Sequence, residues 1–133
     1  MRLTKIEALR LTAELWGWLA EDGQRRKMDW PKWKQYPPPY NHCFLCEYAG
    51  QRQRNTDKQI CYFCPLRGKW GAANLCSWEG SPYRTWEGAQ YPGNCVWDGA
   101  QYPGNFERAT QAAAQIAQLC QQELARLTKG KGR

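Results

Sequence analysis

The chain has 133 residues, a formal net charge of +7 and seven cysteines. This length fits one small domain. No stretch approaches the roughly 20 apolar residues of a membrane-spanning helix, so we expect no membrane partner. The hydrophobic fraction of 42% rests largely on tryptophan, tyrosine and alanine. Because the aliphatic core is thin, we expect a further stabilising element, and the cysteines indicate a metal.

The first residues predict a soluble, cytoplasmic protein. Met1 to Lys5 leads into an amphipathic stretch and not into the continuous apolar run of a signal peptide. Cytoplasmic thiols stay reduced, so closely paired cysteines indicate metal binding before disulfide formation.

The positive charge is concentrated in one part of the chain. Residues 25–69 carry ten basic residues against three acidic ones, and residues 126–133 carry four basic residues and no acidic one. The rest of the chain is net negative. Such concentration predicts an acidic partner, most often nucleic acid. The alternative, that these charges only keep the surface solvated, stays open at this point.

The first predicted element is a helix over residues 4–21. Thr4 and Glu7 have the spacing of a capping box, and Asp22-Gly23 provides a stop signal. The apolar residues that recur three and four positions apart on one face are Ile6, Leu9, Ala13, Trp16 and Ala20.

A basic, aromatic strap is predicted for residues 24–41, where Pro31 and the run from Pro37 to Pro39 forbid a regular helix and favour extended chain. Aromatic residues alternate there with basic ones, a pattern suited to base stacking and phosphate contact. The competing interpretation is that the rings pack on the domain, which we expect of at least two of the four because the aliphatic core is thin. The four rings are Trp30, Trp33, Tyr36 and Tyr40.

The strongest motif is a pair of C-x₂-C sequences inside a zinc module predicted for residues 42–76. Cys43-Phe-Leu-Cys46 is followed, after fourteen residues, by Cys61-Tyr-Phe-Cys64. A two-residue spacer lets both thiolates of a knuckle face one ion, and two knuckles complete a tetrahedral Zn²⁺ site with Zn–S distances of roughly 2.3 Å. Four sulfur ligands leave no open position for a catalytic water, so the sequence predicts a structural zinc ion.

Three alternatives to this ligand set stay open. Cys76 lies twelve residues beyond Cys64 and could replace Cys61 or Cys64 as a ligand. His42 could ligate, although a residue next to a ligand usually points away. Iron could occupy a four-thiolate site, although the basic, glycine-poor surroundings are unlike those of a rubredoxin.

Residues 77–105 are predicted to form an irregular loop rich in glycine, proline and tryptophan. The loop contains a repeat, Trp86–Asn94 and Trp97–Asn105, whose Tyr-Pro-Gly-Asn segments fit type II turns. We expect this repeat to be a tolerated loop insertion that folding does not require.

The last predicted element is a helix over residues 106–128, with Cys120 on its apolar stripe as a buried, inert thiol. This helix and the first one are expected to pair antiparallel. The predicted fold class is therefore a small α-rich, zinc-stabilised single domain over residues 1–133. In it, two terminal helices pack around a zinc-knuckle module, ribbon or treble-clef-like, with irregular Gly/Pro/Trp loops.

The order of these motifs resembles a group of small, uncharacterised, cysteine-rich zinc-binding proteins encoded by bacteriophages and prophages. The resemblance covers residues 13–86. It is carried by Leu15–Ala20, Asp29-Trp30-Pro31, Cys43–Ala49, Cys61–Leu66, Cys76 and Ser81–Trp86. It implies expression in the host cytoplasm and a role in phage–host conflict or phage regulation, it favours Cys76 as a zinc ligand, and it implies no known activity.

The sequence predicts a binding protein and not an enzyme. Its single histidine neighbours a predicted ligand, and its acidic residues are scattered singly. Metalloprotease motifs, phosphate-cradling glycine loops and nucleophile elbows do not occur in it.

Two binding hypotheses follow. The first is contact with nucleic acid, or with a nucleic-acid-processing complex, through one positive face beside the zinc knuckles. The residues predicted for that face are Arg25, Arg26, Lys27, Lys32, Lys34, Arg52, Arg54 and Lys58, with Trp30 and Trp33 stacking on unpaired bases. The alternative is a protein-directed inhibitor or modulator of a host or defence enzyme, acting through an aromatic surface. That surface would comprise Trp30, Trp33, Trp78, Trp86 and Trp97. The target and the oligomeric state stay open.

Overall fold

The computed structural model describes residues 3–36, 43–54, 56–70, 76, 80–90 and 106–129. The α-helices within these ranges are α1 (Lys5–Ala20), α2 (Phe44–Gln53), α3 (Pro82–Gln90) and α4 (Phe106–Thr128). Short 3₁₀ turns cover Lys27–Asp29, Pro31–Lys34 and Ile60–Phe63. The described part of the chain contains no β-strand, so the protein is a small α-rich domain, as predicted.

Within the described ranges, none of the helices has the length and apolar character needed to cross a bilayer.

Helix α1 begins at the predicted capping box. The Thr4 hydroxyl accepts a hydrogen bond from the Glu7 N–H, and the Glu7 carboxylate accepts one from the Thr4 N–H, both at 3.1 Å. The two bonds satisfy donors that the first turn of a helix leaves without partners. The observed helix is one residue shorter at each end than the predicted range, which is ordinary at helix termini.

The two terminal helices form the most extensive helix pair in the structure. Helix α4 spans the predicted range, and the residues on its buried face are Ala109, Ala112, Ala113, Ile116, Ala117 and Cys120. The many alanines let its backbone approach α1 closely. The pair is antiparallel, because Gly23, just after α1, lies against Phe106, the first residue of α4.

Helix α3 corrects the prediction for residues 77–105. Pro82–Gln90 is helical and includes the first half of the first repeat copy. Its Trp86 is only 1% exposed and packs edge to face on Trp16, with 4.9 Å between ring centroids. A loop prediction was wrong here because burial of one large ring outweighs weak local turn preferences, and because a proline fits the first turn of a helix. Residues 91–105, which hold the second copy, lie outside the described ranges.

The strap is also more ordered than predicted. Pro31 is the first residue of a 3₁₀ turn, a position whose N–H has no hydrogen-bond partner within the turn, so proline loses no hydrogen bond there. The packing interpretation is confirmed for three rings: Trp30 is buried, Trp33 and Tyr36 are half-buried, and all three contact Phe44 of α2. The fourth ring and the run of three prolines lie outside the described ranges.

The contact between Gly23 and Phe106 generates a stability prediction. A Cβ atom at Gly23 would lie 2.7 Å from the carbonyl carbon and from the Cβ of Phe106, so the ends of the two helices would have to separate. We expect Gly23→Ala to lower the free energy of unfolding by about 1–3 kcal/mol, the usual cost of overpacking.

The matched control is Gly17→Ala. A Cβ atom there meets nothing within 4 Å, and the position lies inside α1, so alanine should raise the free energy of unfolding by about 0.5–1 kcal/mol. Urea denaturation of both variants measures the two changes. Equal stability of Gly23→Ala and wild type would contradict the close junction of α1 and α4.

Candidate metal centre and the adjoining basic face

The first cysteine pair lies at the start of α2. Cys43 is the N-cap residue, and its Sγ accepts a hydrogen bond from the Cys46 N–H at 3.2 Å. The hydrogen bond from the Cys46 thiol lowers the pKa of Cys43 to about 7, with burial opposing the change and Lys27 adding to it. The N-terminal end of a helix also favours a negative charge, so this position suits a thiolate.

The second pair lies in and just after the 3₁₀ turn Ile60–Phe63. The Cys64 N–H donates to the Cys61 carbonyl at 3.3 Å, and two further turns carry the chain to Trp70. Leu66 and Trp70 are buried in the hydrophobic core and anchor this segment. Burial raises the pKa of Cys64 to about 12.

The fifth thiol of this region, Cys76, is positioned by helix α3. Ser81 is fully buried, and its hydroxyl donates to the Cys76 carbonyl while accepting the Arg84 N–H at 3.1 Å. The same side chain therefore starts α3 and fixes the backbone at Cys76. Burial raises the pKa of Cys76 to about 11, and the neighbouring charges of Cys43 and Cys61 add to this rise.

Four cysteines of these segments line one cavity. The cavity has a volume of about 20 Å³, and its lining residues are Cys46, Ala49, Cys61, Cys64, Arg67, Trp70 and Cys76. Cys43 is not part of this lining, and its Sγ accepts the hydrogen bond from the Cys46 N–H. The hydrogen bond to Cys43 and burial raise the pKa of Cys46, and the charges of Cys43, Cys76 and Cys64 add to this rise.

The described ranges contain no group of three or more histidine, cysteine, aspartate or glutamate side chains whose present positions could hold a metal ion. The thiols line the cavity without converging on its centre. His42, an alternative ligand, lies outside the described ranges. Cys120 is fully buried on α4, as predicted, and burial raises its pKa.

A buried carboxylate ties the second cysteine segment to α4. The Glu123 side chain is 5% exposed and lies 3.5 Å from Lys69. Arg126 Nε donates to both carboxylate oxygens, at 3.0 and 3.1 Å. These hydrogen bonds hold the pKa of Glu123 below its usual range; burial opposes them, and Lys69 adds to the lowering. The sequence analysis missed this residue, although its place on the apolar stripe of α4 was a signal.

The structure divides the predicted basic face into two parts. On the strap, three cations are held by contacts inside the domain: Arg25 with the Trp18 carbonyl (2.8 Å) and Glu21 (2.9 Å), Lys27 with the Tyr83 hydroxyl (3.0 Å), and Lys32 with Glu14 (2.9 Å). Arg26 and Lys34 are exposed. Trp30 is 4% exposed, so its ring is not available to stack on a base, which corrects that part of the prediction.

The second part runs from the end of α2 to the turn after Cys64, and we call it the loop face: Arg52, Arg54, Lys58, Tyr62 and Arg67, all exposed. Tyr62 is 45% exposed, with Arg67 Cζ 4.2 Å and Lys58 Nζ 5.2 Å from its ring centroid, whereas Arg52 Cζ lies 5.0 Å from the ring centroid of Tyr48. Each such cation–π contact is worth about 0.5–1 kcal/mol at an exposed site.

Tyr62 and Arg67 were not among the predicted site residues. The C-x₂-C pattern does not show which spacer side chains face solvent, since Phe44 and Leu45 of the first pair are buried whereas Tyr62 of the second is exposed.

The aromatic surface of the alternative hypothesis is not supported by the described residues. Trp30 and Trp86 are buried in the core, and Trp33 is half-buried against Phe44. The remaining two members, Trp78 and Trp97, lie outside the described ranges.

No protein-family model, curated protein or solved structure matches this chain. The resemblance to phage-encoded proteins therefore stays a prediction.

The Glu123 contacts generate a prediction about pH. Since the folded-state pKa is depressed, the stabilisation is present above the unfolded-state pKa of about 4.3 and is lost as the pH falls through the folded-state value. We expect Glu123→Gln to lower the free energy of unfolding by roughly 1.5 kcal/mol at pH 7 and to reduce the loss of stability on acidification. Urea denaturation from pH 7 to pH 3 measures both effects.

In an Arg126→Ala background, Glu123→Gln should lower the free energy of unfolding by a smaller amount, because the main hydrogen-bond donor to Glu123 is already absent. An unchanged acid dependence in Glu123→Gln would show that this carboxylate does not contribute.

Proposed function

We propose that this protein is a non-enzymatic, zinc-stabilised binding protein that contacts nucleic acid, alone or within a nucleoprotein complex, through the loop face. One observation carries the proposal: the turn that holds Cys61 and Cys64 inward presents Tyr62 outward between Lys58 and Arg67. Exposed aromatic rings combined with basic side chains are typical of surfaces that bind single-stranded nucleic acid. With the predicted phage origin, the protein would act in the host cytoplasm.

Zinc is proposed as the occupant of the cysteine cavity. A space of about 20 Å³ holds one small species. A water molecule would need two to four polar partners, and thiols are weak donors and acceptors, whereas four sulfur atoms are a common ligand set for zinc. A cysteine side chain turns about a single torsion, so ligation requires the thiols to rotate toward the centre. A site closed by four sulfurs is structural.

The lining of the cavity favours Cys46, Cys61, Cys64 and Cys76 as ligands of the proposed zinc ion. The knuckle spacing and the helix N-terminus favour Cys43 in place of one of them.

A binding role is also supported by what the acidic side chains do. Several of them are engaged in structural contacts: Glu7 in the capping box, Glu14 with Lys32, Glu21 with Arg25, Glu47 with Gln51 and Glu123 with Arg126. A carboxylate held in this way serves the fold, and general acid–base catalysis would require one directed at a substrate.

The zinc part of the proposal is tested by metal analysis. Purified protein should carry about one zinc ion per chain, and a chelator should lower its melting temperature because metal binding is coupled to folding. Cys64→Ala should lose the metal, whereas Cys120→Ala, a buried cysteine of the α4 core, should keep it. Comparing Cys43→Ala with Cys76→Ala assigns the remaining ligand. Metal-free protein whose melting temperature is insensitive to chelator would overturn this part.

The binding part is tested by a salt series. Affinity for short single-stranded DNA and RNA should fall as salt rises, with each phosphate contact contributing about 0.7 to the slope of log affinity against log salt. Arg52→Ala combined with Arg54→Ala should reduce that slope by about 1.4 if each arginine contacts one phosphate.

The control is Lys32→Ala combined with Lys34→Ala, which removes the same charge from the strap. It should leave the slope nearly unchanged, since Lys32 is paired with Glu14. A larger effect from the strap variant would move the interface to the strap. If wild-type protein binds no nucleic acid at low salt, the proposed nucleic-acid binding is wrong.

A further inference from the structure

We infer that Tyr62 is a stacking platform for one unpaired nucleobase, so that the loop face selects single-stranded over double-stranded nucleic acid. This inference rests on the proposed nucleic-acid binding and specifies the form that is recognised.

The ring of Tyr62 is held in place before any ligand arrives. It lies in the spacer between Cys61 and Cys64, in a 3₁₀ turn that is anchored to the core by Leu66 and Trp70. Phe63 supports it edge to face, with 5.1 Å between ring centroids. A ring fixed in this way loses little conformational freedom when a base stacks on it, because a tyrosine side chain has only two torsions.

The two cations beside the ring differ in how easily a base could displace them. Arg67 Cζ lies 4.2 Å from the ring centroid, close enough for a stacked guanidinium. Lys58 Nζ lies farther out, at 5.2 Å, on an exposed and flexible side chain. An incoming base replaces Lys58 at the ring, and the released ammonium group pairs with a phosphate of the same strand. The favourable charge contact is therefore exchanged and not lost.

This arrangement predicts a preference for single-stranded over double-stranded nucleic acid. In a duplex the bases are paired and stacked on one another, so a side chain on a convex turn reaches only the backbone. An unpaired base has a free face, and a tyrosine ring accepts any base because each has a π-face. The predicted platforms Trp30 and Trp33 contact Phe44 and belong to the packed strap, which leaves Tyr62 as the aromatic ring of the loop face.

The test compares four probes of equal length at fixed low salt: oligothymidylate, oligouridylate, an abasic strand with the same phosphate spacing, and a DNA duplex. Wild-type protein should bind the two base-carrying strands about 5- to 150-fold more tightly than the abasic strand, the range expected for one stacked base. Tyr62→Ala should lose this preference and keep its affinity for the abasic strand, whereas Tyr62→Phe should retain the preference. Phe106→Ala, which removes another exposed ring, is the control and should behave as wild type.

The outcomes separate the inference from the proposed function. Binding to none of the four probes overturns both. Binding of wild type with equal affinity to base-carrying and abasic strands, or a preference that survives Tyr62→Ala, overturns the stacking platform and leaves phosphate binding in place. Zinc content is measured for each variant, because Tyr62 neighbours Cys61. If Tyr62→Ala fails to fold, the comparison of wild type on abasic and base-carrying strands, together with Tyr62→Phe, still decides the question.

Discussion

Four cysteines from three separate parts of the chain line one small cavity, so the packing of the domain has to hold these parts against one another. Cys46 comes from the start of α2, Cys61 and Cys64 from a 3₁₀ turn, and Cys76 from the segment before α3. None of these segments is long enough to be stable by itself. Each is therefore anchored elsewhere: α2 through Phe44, the turn through core residues that follow it, and the last segment through the hydroxyl of Ser81.

Aromatic rings supplement a core whose buried aliphatic side chains are mostly leucines. One cluster joins the strap to Phe44 and so supports the helix that begins at Cys43. A second cluster joins Trp16 of α1 to Tyr83 and Trp86 of α3. Large rings bury much apolar area per residue, and edge-to-face pairs add specific geometry. Two clusters of this kind help a chain with little leucine, isoleucine and valine to hold four thiols around one cavity.

The same packing divides the basic residues between structural and exposed roles. Lys27 faces the cysteine cluster and Tyr83, and its charge favours the thiolate at Cys43. Arg25 closes the C-terminal end of α1, where a cation meets the negative end of the helix dipole. Beyond α2, Lys58 and Arg67 are exposed beside Tyr62, whereas Lys69 pairs with the buried Glu123. A uniformly basic stretch of sequence thus yields one outward-facing surface.

Local patterns in the sequence were enough to predict the two terminal helices, α1 and α4. The capping box at Thr4 and the apolar stripe through Ile116 predicted α1 and α4 nearly to the residue, because capping and periodicity act within a few turns of chain. Cysteine spacing predicted a set of Cys43, Cys46, Cys61 and Cys64, whereas the cysteines that line the cavity are Cys46, Cys61, Cys64 and Cys76. Tertiary structure alone decided that the first repeat copy is half helical, that Trp30 is core, and that Tyr62 faces outward. Those outcomes depend on which distant surface each side chain packs against, and burial of a large ring outweighs the weak local preference of its own segment.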